Sequence, residues 1–212
     1  MNPKQMHYET LSQTIIKNFE KRRIEACYCA TAQEAKEKAL SYLTADCTVS
    51  FGGSMTLEET GTLAALRTRD DIHLIDRATA SGPAETKQMY HDALSADYYF
   101  MSTNAITVSG ELVNIDGNGN RVAALIYGPE HVIVMAGMNK VAANVEEAIS
   151  RVHNAATPMN CKRLGKNTPC AATGVCSDCL SPDCICNQIV VTRRSGIENR
   201  IKVILIGETL GY

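Results

Sequence analysis

The sequence predicts an α/β protein in which a mostly parallel sheet lies between helices. Short apolar runs alternate with amphipathic stretches of helical period from Ile24 to Met101, an order that favours parallel strands joined by right-handed crossovers. The runs are short and mostly apolar, as strands within a parallel sheet are. One of them ends on paired glycines and is followed at once by a helix start.

The elements follow in order. Residues 6–22 predict a helix with Leu11, Ile15, Ile16 and Phe19 on one face. IEACYC at 24–29 is a short strand. Residues 32–43 form an amphipathic helix with Ala35, Ala39, Leu40 and Leu43 inward. CTVSF at 47–51 is a buried strand cut off by Gly52 and Gly53. Thr56 and Glu59 match a capping box, which starts the next helix near 56 and carries it to 67. IHLI at 72–75 is a strand. Residues 83–94 form a helix with Pro83 in its first turn, where a missing N–H costs nothing. YYFM at 98–101 is the next strand.

The character then changes. ELVNI at 111–115 and RVAALIYG at 121–128 flank DGNGN, which predicts a hairpin. HVIVMAG at 131–137 is a strongly apolar strand, and residues 144–156 form a helix. Residues 157–187 show no period. QIVVTRR at 188–194 and IKVILIG at 201–207 read as two strands joined by 195–200. With no repeat and no low-complexity linker, the expectation is a single domain over residues 1–212 with a cysteine-rich loop at 161–187.

Composition narrows the function. A 212-residue chain with 45% hydrophobic residues can bury an ordinary core. The net charge is −2, with acids and bases mixed and no basic run, so no nucleic-acid partner is expected. Aromatics are 5% and Trp is absent, which argues against a base-stacking platform. The polar start MNPKQMHYET is unlike a secretory leader. No stretch approaches the ~20 apolar residues that span a bilayer. A soluble, cytoplasmic protein is expected, with its oligomeric state open.

SFGGSMTLEETG at 50–61 is strand, glycines, helix. Such a corner offers free backbone N–H groups at a strand end, a place for a phosphate, carboxylate or acyl group. Gly52 and Gly53 permit close approach, and Ser54 and Thr56 add hydroxyls. The spacing is neither a Walker A loop nor a dinucleotide fingerprint, and a plain capped turn explains the same residues. Glu59 reads as the capping partner, while Glu58 could reach the pocket as an acid or base. Thr103 and Asn104 follow one strand, and Asn139 and Lys140 follow another, where α/β ligand sites form. A lysine there can neutralise an anion, or be a solvated residue before the next helix. Asp116, Asn118, Asn120 and Arg121 could converge with these residues on one crevice, or simply form a hairpin loop, whose composition they have. His7, His73, His91, His131 and His153 are scattered and read as structural.

Nine cysteines are an odd and high count. Cys27, Cys29 and Cys47 lie in apolar runs and read as buried hydrophobes. The other six fall between Cys161 and Cys186. Cys170, Cys176, Cys179, Cys184 and Cys186, with turns at Thr168, Pro169, Gly174 and Pro182, could wrap a zinc ion or an iron–sulfur cluster. Spacing does not choose between these and simple thiols or disulfides.

Taken together, SFGGSMTLEETG, STNAITVSGELVNIDGNGNRVAALIYGPEHVIVMAGMNKVAANVEEAISRV and NTPCAATGVCSDCLSPDCICN resemble the LUD family, the lactate-utilisation domains. The resemblance covers the chain from about residue 10 to its end. It implies the three-layer α/β/α fold of the glucosamine-phosphate isomerase, ribose-phosphate isomerase and CoA-transferase group (NagB/RpiA/CoA transferase-like). It also implies that Gly52, Gly53, Ser54 and Thr56 form a binding loop for a small anionic metabolite, bordered by Asn104, Asn139 and Lys140. Some members serve lactate oxidation with iron–sulfur partner subunits, which suggests a role in converting lactate or another 2-hydroxy acid to the oxo acid. In that role Lys140 would neutralise charge and Glu58 could move a proton. The family's cysteine pattern points to Cys170, Cys176, Cys179 and Cys186 as ligands of zinc or a [4Fe–4S] cluster. Two alternatives are a stand-alone sugar-phosphate or acyl-CoA enzyme and a non-enzymatic, metal-stabilised subunit or sensor.

Overall fold

In the computed structural model, which describes residues 2–212, the chain begins with α1 (Pro3–Lys21), β1 (Glu25–Cys29), α2 (Ala32–Leu40) and β2 (Thr48–Phe51). It continues through α3 (Met55–Glu59), α4 (Thr62–Arg67), β3 (His73–Ile75), α5 (Pro83–Asp92) and β4 (Tyr98–Met101). Next come β5 (Ala105–Thr107), β6 (Leu112–Asp116), α6 (Asn120–Ile126), β7 (His131–Gly137) and β8 (Val141–Ala142). The last elements are α7 (Val145–Arg151), α8 (Thr157–Arg163), α9 (Pro169–Thr173), β9 (Gln188–Thr192) and β10 (Ile201–Ile206).

Six strands form a sheet in the order β1-β10-β7-β4-β2-β3, and every neighbouring pair is parallel. Successive strand residues point to opposite faces, so a central strand buries both sets. In β7, Val132, Val134 and Ala136 pack with Ile15 and Phe19 of α1 and Leu125 of α6. Ile133 and Met135 face the other way, toward Ala35 and Ala39 of α2, Leu57 of α3, and Leu63 and Leu66 of α4. Helices thus cover both faces, which is the expected three-layer α/β/α arrangement. Complete burial of side chains such as Leu57 and Leu66 stabilises the fold by about 2 kcal/mol apiece.

A second sheet, β8-β5-β6-β9, sits beside the first. Its β5–β6 and β6–β9 pairs are antiparallel and its β5–β8 pair is parallel. Ala148 of α7 and Val152 just after it pack onto Ala105, Val113 and Ile115 of this sheet.

Four details depart from the sequence-based expectation or were left open by it. The predicted hairpin around DGNGN is absent, because residues 120–126 are α6. The Asp116 carboxylate accepts from Gly119 N at 3.2 Å and from Val122 N at 3.3 Å. Those bonds tie down the helix start, and Gly119 takes the left-handed conformation the corner needs, with φ 85°. Second, β9 and β10 are not neighbours. β9 pairs with β6, and the chain crosses to the main sheet before β10.

Third, the helix after β2 is capped by Ser54, whose Oγ accepts from Leu57 N at 3.2 Å. Thr56 and Glu59 do not form a capping box, and the helix is interrupted at Gly61 before α4. Finally, α7 runs on through a widened turn at Val152–Ala156 into α8, inside the segment without sequence periodicity. The widened turn accommodates Pro158, which has no N–H to return to the preceding turn. Among the described residues no helix is long and apolar enough to cross a membrane.

Candidate functional site

Strands β7, β4 and β2 are adjacent in the sheet and parallel, so the segments leaving their C-terminal ends emerge side by side. These are the Met138–Lys140 turn, Ser102–Thr103–Asn104 and Gly52–Gly53–Ser54. A cavity of about 570 Å³ opens over them, with Gly53, Ser54, Ser102, Asn104, Arg121 and Lys140 in its lining.

The glycines serve close approach. A Cβ on Gly52 would stand 3.1 Å from the Tyr99 hydroxyl and 3.2 Å from Arg121 Cδ. A Cβ on Gly53 would stand 2.5 Å from Arg77 Nη2. The glycines therefore let two arginines lie against the loop. Ser54 lines the cavity with its oxygen already engaged as a helix cap. The helix it caps has only five residues, so its dipole adds little.

Lys140 is 4% exposed. Its Nζ donates to Thr56 Oγ1 at 2.8 Å and to Ser102 Oγ at 3.0 Å. Burial pushes its ammonium down to about 7, and the positive charges of Arg151 and Arg121 add to the effect. Thr56, expected as a loop hydroxyl facing the ligand, is buried beneath the loop as a lysine partner and does not line the cavity.

Arg121 lies in the first turn of α6, where a hairpin was expected, and lines the cavity. Its Nη1 donates to Asn114 Oδ1 at 2.5 Å and Ser102 O at 3.2 Å. Its Nη2 donates to Asn104 Oδ1 at 2.9 Å and Ile115 O at 3.0 Å. Nε lies 3.3 Å from Asp116 Oδ2. Burial lowers its proton affinity, with Asp116 opposing. The only hint in the sequence was its place in a dense polar cluster.

Two other expected residues stand differently. Asn139 Oδ1 accepts from Leu210 N at 3.1 Å, so this side chain ties down the C-terminal segment and does not line the cavity. Glu58 is exposed on α3, also off the lining. Asn104 is at the wall, where its Oδ1 also accepts from Ile115 N at 3.0 Å.

The lining is electropositive. It includes Arg77, Arg121, Lys140, Arg163 and Lys166 against Asp116 and Asp183. Both carboxylates are engaged, Asp116 with Arg121 and the start of α6, Asp183 with Asn167 N at 2.9 Å. Arg77 stacks over the Tyr90 ring at 5.8 Å. Among the described residues its guanidinium makes no hydrogen bond.

A second cavity, about 290 Å³, is lined by Cys161, Cys170, Cys176, Cys179, Cys184 and Cys186 together with His153. Every cysteine of the chain is a free thiol. Cys170 Sγ approaches Cys161 Sγ at 3.8 Å, and Cys186 Sγ approaches Thr157 Oγ1 at 3.5 Å. Burial raises the Cys161 thiol and pushes Cys186 up to about 11. Among the described residues no three His, Cys, Asp or Glu side chains converge closely enough to hold a metal ion. Thr157, Cys184 and Ile185 line both cavities, so the two share a wall.

The LUD domain model matches residues 12–206. No curated protein matches the sequence. Among solved structures, a DUF162 family protein from Deinococcus radiodurans is similar with a TM-score of 0.50 at 13% identity, over 95% of this chain and 98% of that one. A D-ribose-5-phosphate isomerase in complex with phospho-erythronic acid gives a TM-score of 0.35 at 14% identity, over 54% of each chain. Ribose 5-phosphate isomerase A from Methanocaldococcus jannaschii gives 0.34 at 16% identity, over 55% of each chain. The likeness across the whole Deinococcus protein is one of fold.

Proposed function

The chain belongs to the LUD domain family, and from that membership we propose that it binds a small anionic metabolite in the cavity above β2, β4 and β7. One observation carries the reading: the lining holds Arg77, Arg121, Lys140, Arg163 and Lys166, and its two carboxylates are already engaged. Such a surface attracts a carboxylate or phosphate and repels a cation. Arg77 has donors to offer, Lys140 presents its amine at the floor, and the Gly53 backbone lines the same space. The metabolite class we favour is a 2-hydroxy or 2-oxo acid, with the protein taking part in lactate oxidation beside iron–sulfur partner proteins. The family's name supports that choice.

A melting screen tests the reading, because a ligand that binds only the native state stabilises it in proportion to RT ln(1 + [L]/Kd). Lactate, pyruvate, sugar phosphates and acyl-CoA esters form the panel. The expected result is an upward shift with the small acids that is lost in Arg77→Ala. A shift confined to sugar phosphates or CoA esters would replace the substrate class. Equal shifts in wild type, Arg77→Ala and Ser54→Ala would remove the cavity assignment.

The second cavity supports a further part of the reading, in which Cys170, Cys176, Cys179 and Cys186 hold zinc or a [4Fe–4S] cluster. The donors fit in kind, since thiolates are the ligands both centres prefer. They do not converge on one point among the described residues, so binding would draw the sulfurs together and displace their protons. Zinc there would act as a structural clasp, whereas a cluster would carry single electrons.

A further inference from the structure

We propose that Lys140 captures carbonyl compounds: its Nζ forms an imine with the keto carbon of a small 2-oxo acid bound in the cationic cavity. The inference rests on the reading that this cavity takes a small organic anion, and it adds a covalent step to it.

The first observation is what Lys140 lacks. It is 4% exposed, yet it is in none of the ion pairs between the described residues. Its two hydrogen-bond partners are the hydroxyls of Thr56 and Ser102. A buried ammonium without a carboxylate is costly, and such a group sheds its proton. The charged neighbours push the same way. Arg151 and Arg121 are both cationic, and Glu59, which would favour the ammonium, accepts from Gly211 N at 2.6 Å. A lysine that only neutralised an anion would stay strongly basic. With its proton affinity lowered to about 7, Lys140 has a neutral fraction on the order of a thousandfold larger than a surface lysine at that pH. A neutral amine is the form that attacks carbonyls.

The second observation is where the amine sits. It lies on the floor of the cavity, beside the Ser102 hydroxyl, which lines the same space. Arg77 lines that space too and has unused donors for a substrate carboxylate. A neutral amine selects a carbonyl and the cationic lining favours an acid, so a small oxo acid suits both, with the 2-oxo acid the simplest.

The step balances without a redox partner. The Nζ lone pair attacks the keto carbon and a C–N bond forms. The C=O π pair moves to oxygen, which takes a proton to give a carbinolamine. Loss of the second N–H proton and of the hydroxyl as water leaves C=N, so amine plus ketone become imine plus one water. The Ser102 hydroxyl is placed to hand a proton to the departing oxygen.

Borohydride trapping tests this on the full chain. Protein is incubated with pyruvate, reduced with sodium borohydride, and analysed by intact mass and peptide mapping at neutral pH. The expected product is a 1-carboxyethyl group on Lys140, exceeding that on any other lysine by at least about tenfold, given its larger neutral fraction. Lys140→Arg, with folding checked by its melting curve, loses the adduct. Mapping of wild-type protein alone also decides the matter, should that variant fail to fold. Pyruvate that raises the melting temperature but leaves Lys140 unmodified overturns the imine and leaves anion binding standing. An adduct spread evenly over surface lysines also overturns it. If no small acid shifts the melting temperature and no adduct forms, both readings fall.

Discussion

Lys140 Nζ donates to Thr56 Oγ1 at 2.8 Å, joining residues 84 positions apart in the chain. The bond links the turn after β7 to the first helix after β2, on either side of β4. It places the amine of the site beneath the glycine loop and makes the lysine part of the core as well as of the cavity.

Stability should therefore depend on pH through Lys140. Burial lowers its folded-state value from 10.5 to about 7. Between those values the unfolded chain binds a proton that the folded chain does not, so stability rises with pH across that window, and below about 7 the full burial penalty applies. Wild-type protein should gain roughly 2–3 kcal/mol relative to Lys140→Met between pH 6 and pH 9. Denaturant titrations at both pH values measure it, and a constant difference would mean the lysine stays protonated.

Thr56→Val keeps the shape and removes the hydroxyl. Lys140 would then keep only Ser102 as a partner, and a buried donor without an acceptor costs about 1–3 kcal/mol. Ser54→Ala removes a cap at a partly exposed position and should cost about 1 kcal/mol. Chemical denaturation of both variants checks the order, with Thr56→Val the less stable.

The two glycines should respond differently to alanine. At Gly53 the new methyl meets the far end of Arg77, which can swing away. Stability should stay within about 0.5 kcal/mol, while the melting shift produced by the small acid falls. At Gly52 the methyl meets the Tyr99 hydroxyl and Arg121, and Arg121 is held by hydrogen bonds to four residues. Overpacking there should cost about 1–3 kcal/mol.

Arg121→Met should be among the most damaging changes. It removes the partner of Asp116 and of the Asn104 and Asn114 carbonyl oxygens. Breaking a buried pair by deleting one member costs about 3–5 kcal/mol. Arg121→Lys should recover only part of that, because an ammonium cannot span the same acceptors. Melting curves of the two variants make the comparison.

Protein purified without oxygen should carry metal at the cysteine cavity. Iron with broad visible absorbance would identify a cluster, and stoichiometric zinc a clasp. Cys170→Ser and Cys179→Ser should each lower the content at least several-fold, and Cys47→Ser, in the main core, should not. Metal-free wild-type protein from anaerobic cells would end the metal reading.

Much of the framework could be read directly. Strand 131–137 is apolar at every position but its first, which only a strand covered on both faces requires, and β7 is such a strand. The glycine corner after β2 was also legible, because paired glycines after a buried strand stop it wherever the rest of the chain lies.

Other features depended on residues far away. RVAALIYG at 121–128 suits either a strand or a helix by periodicity, and the tertiary structure decided for a helix. Arg200 donates to the carbonyls of Ala124, Leu125 and Pro129 across more than 70 positions, satisfying the end of α6. Asp116 ties down its start. The same holds at the site. Asn139 and Lys140 are consecutive, yet one secures the C-terminal segment and the other enters the cavity floor. The local sequence determined which segments leave the strands. What each side chain meets there depended on which strands the sheet makes neighbours, and with it the burial that sets the charge of Lys140.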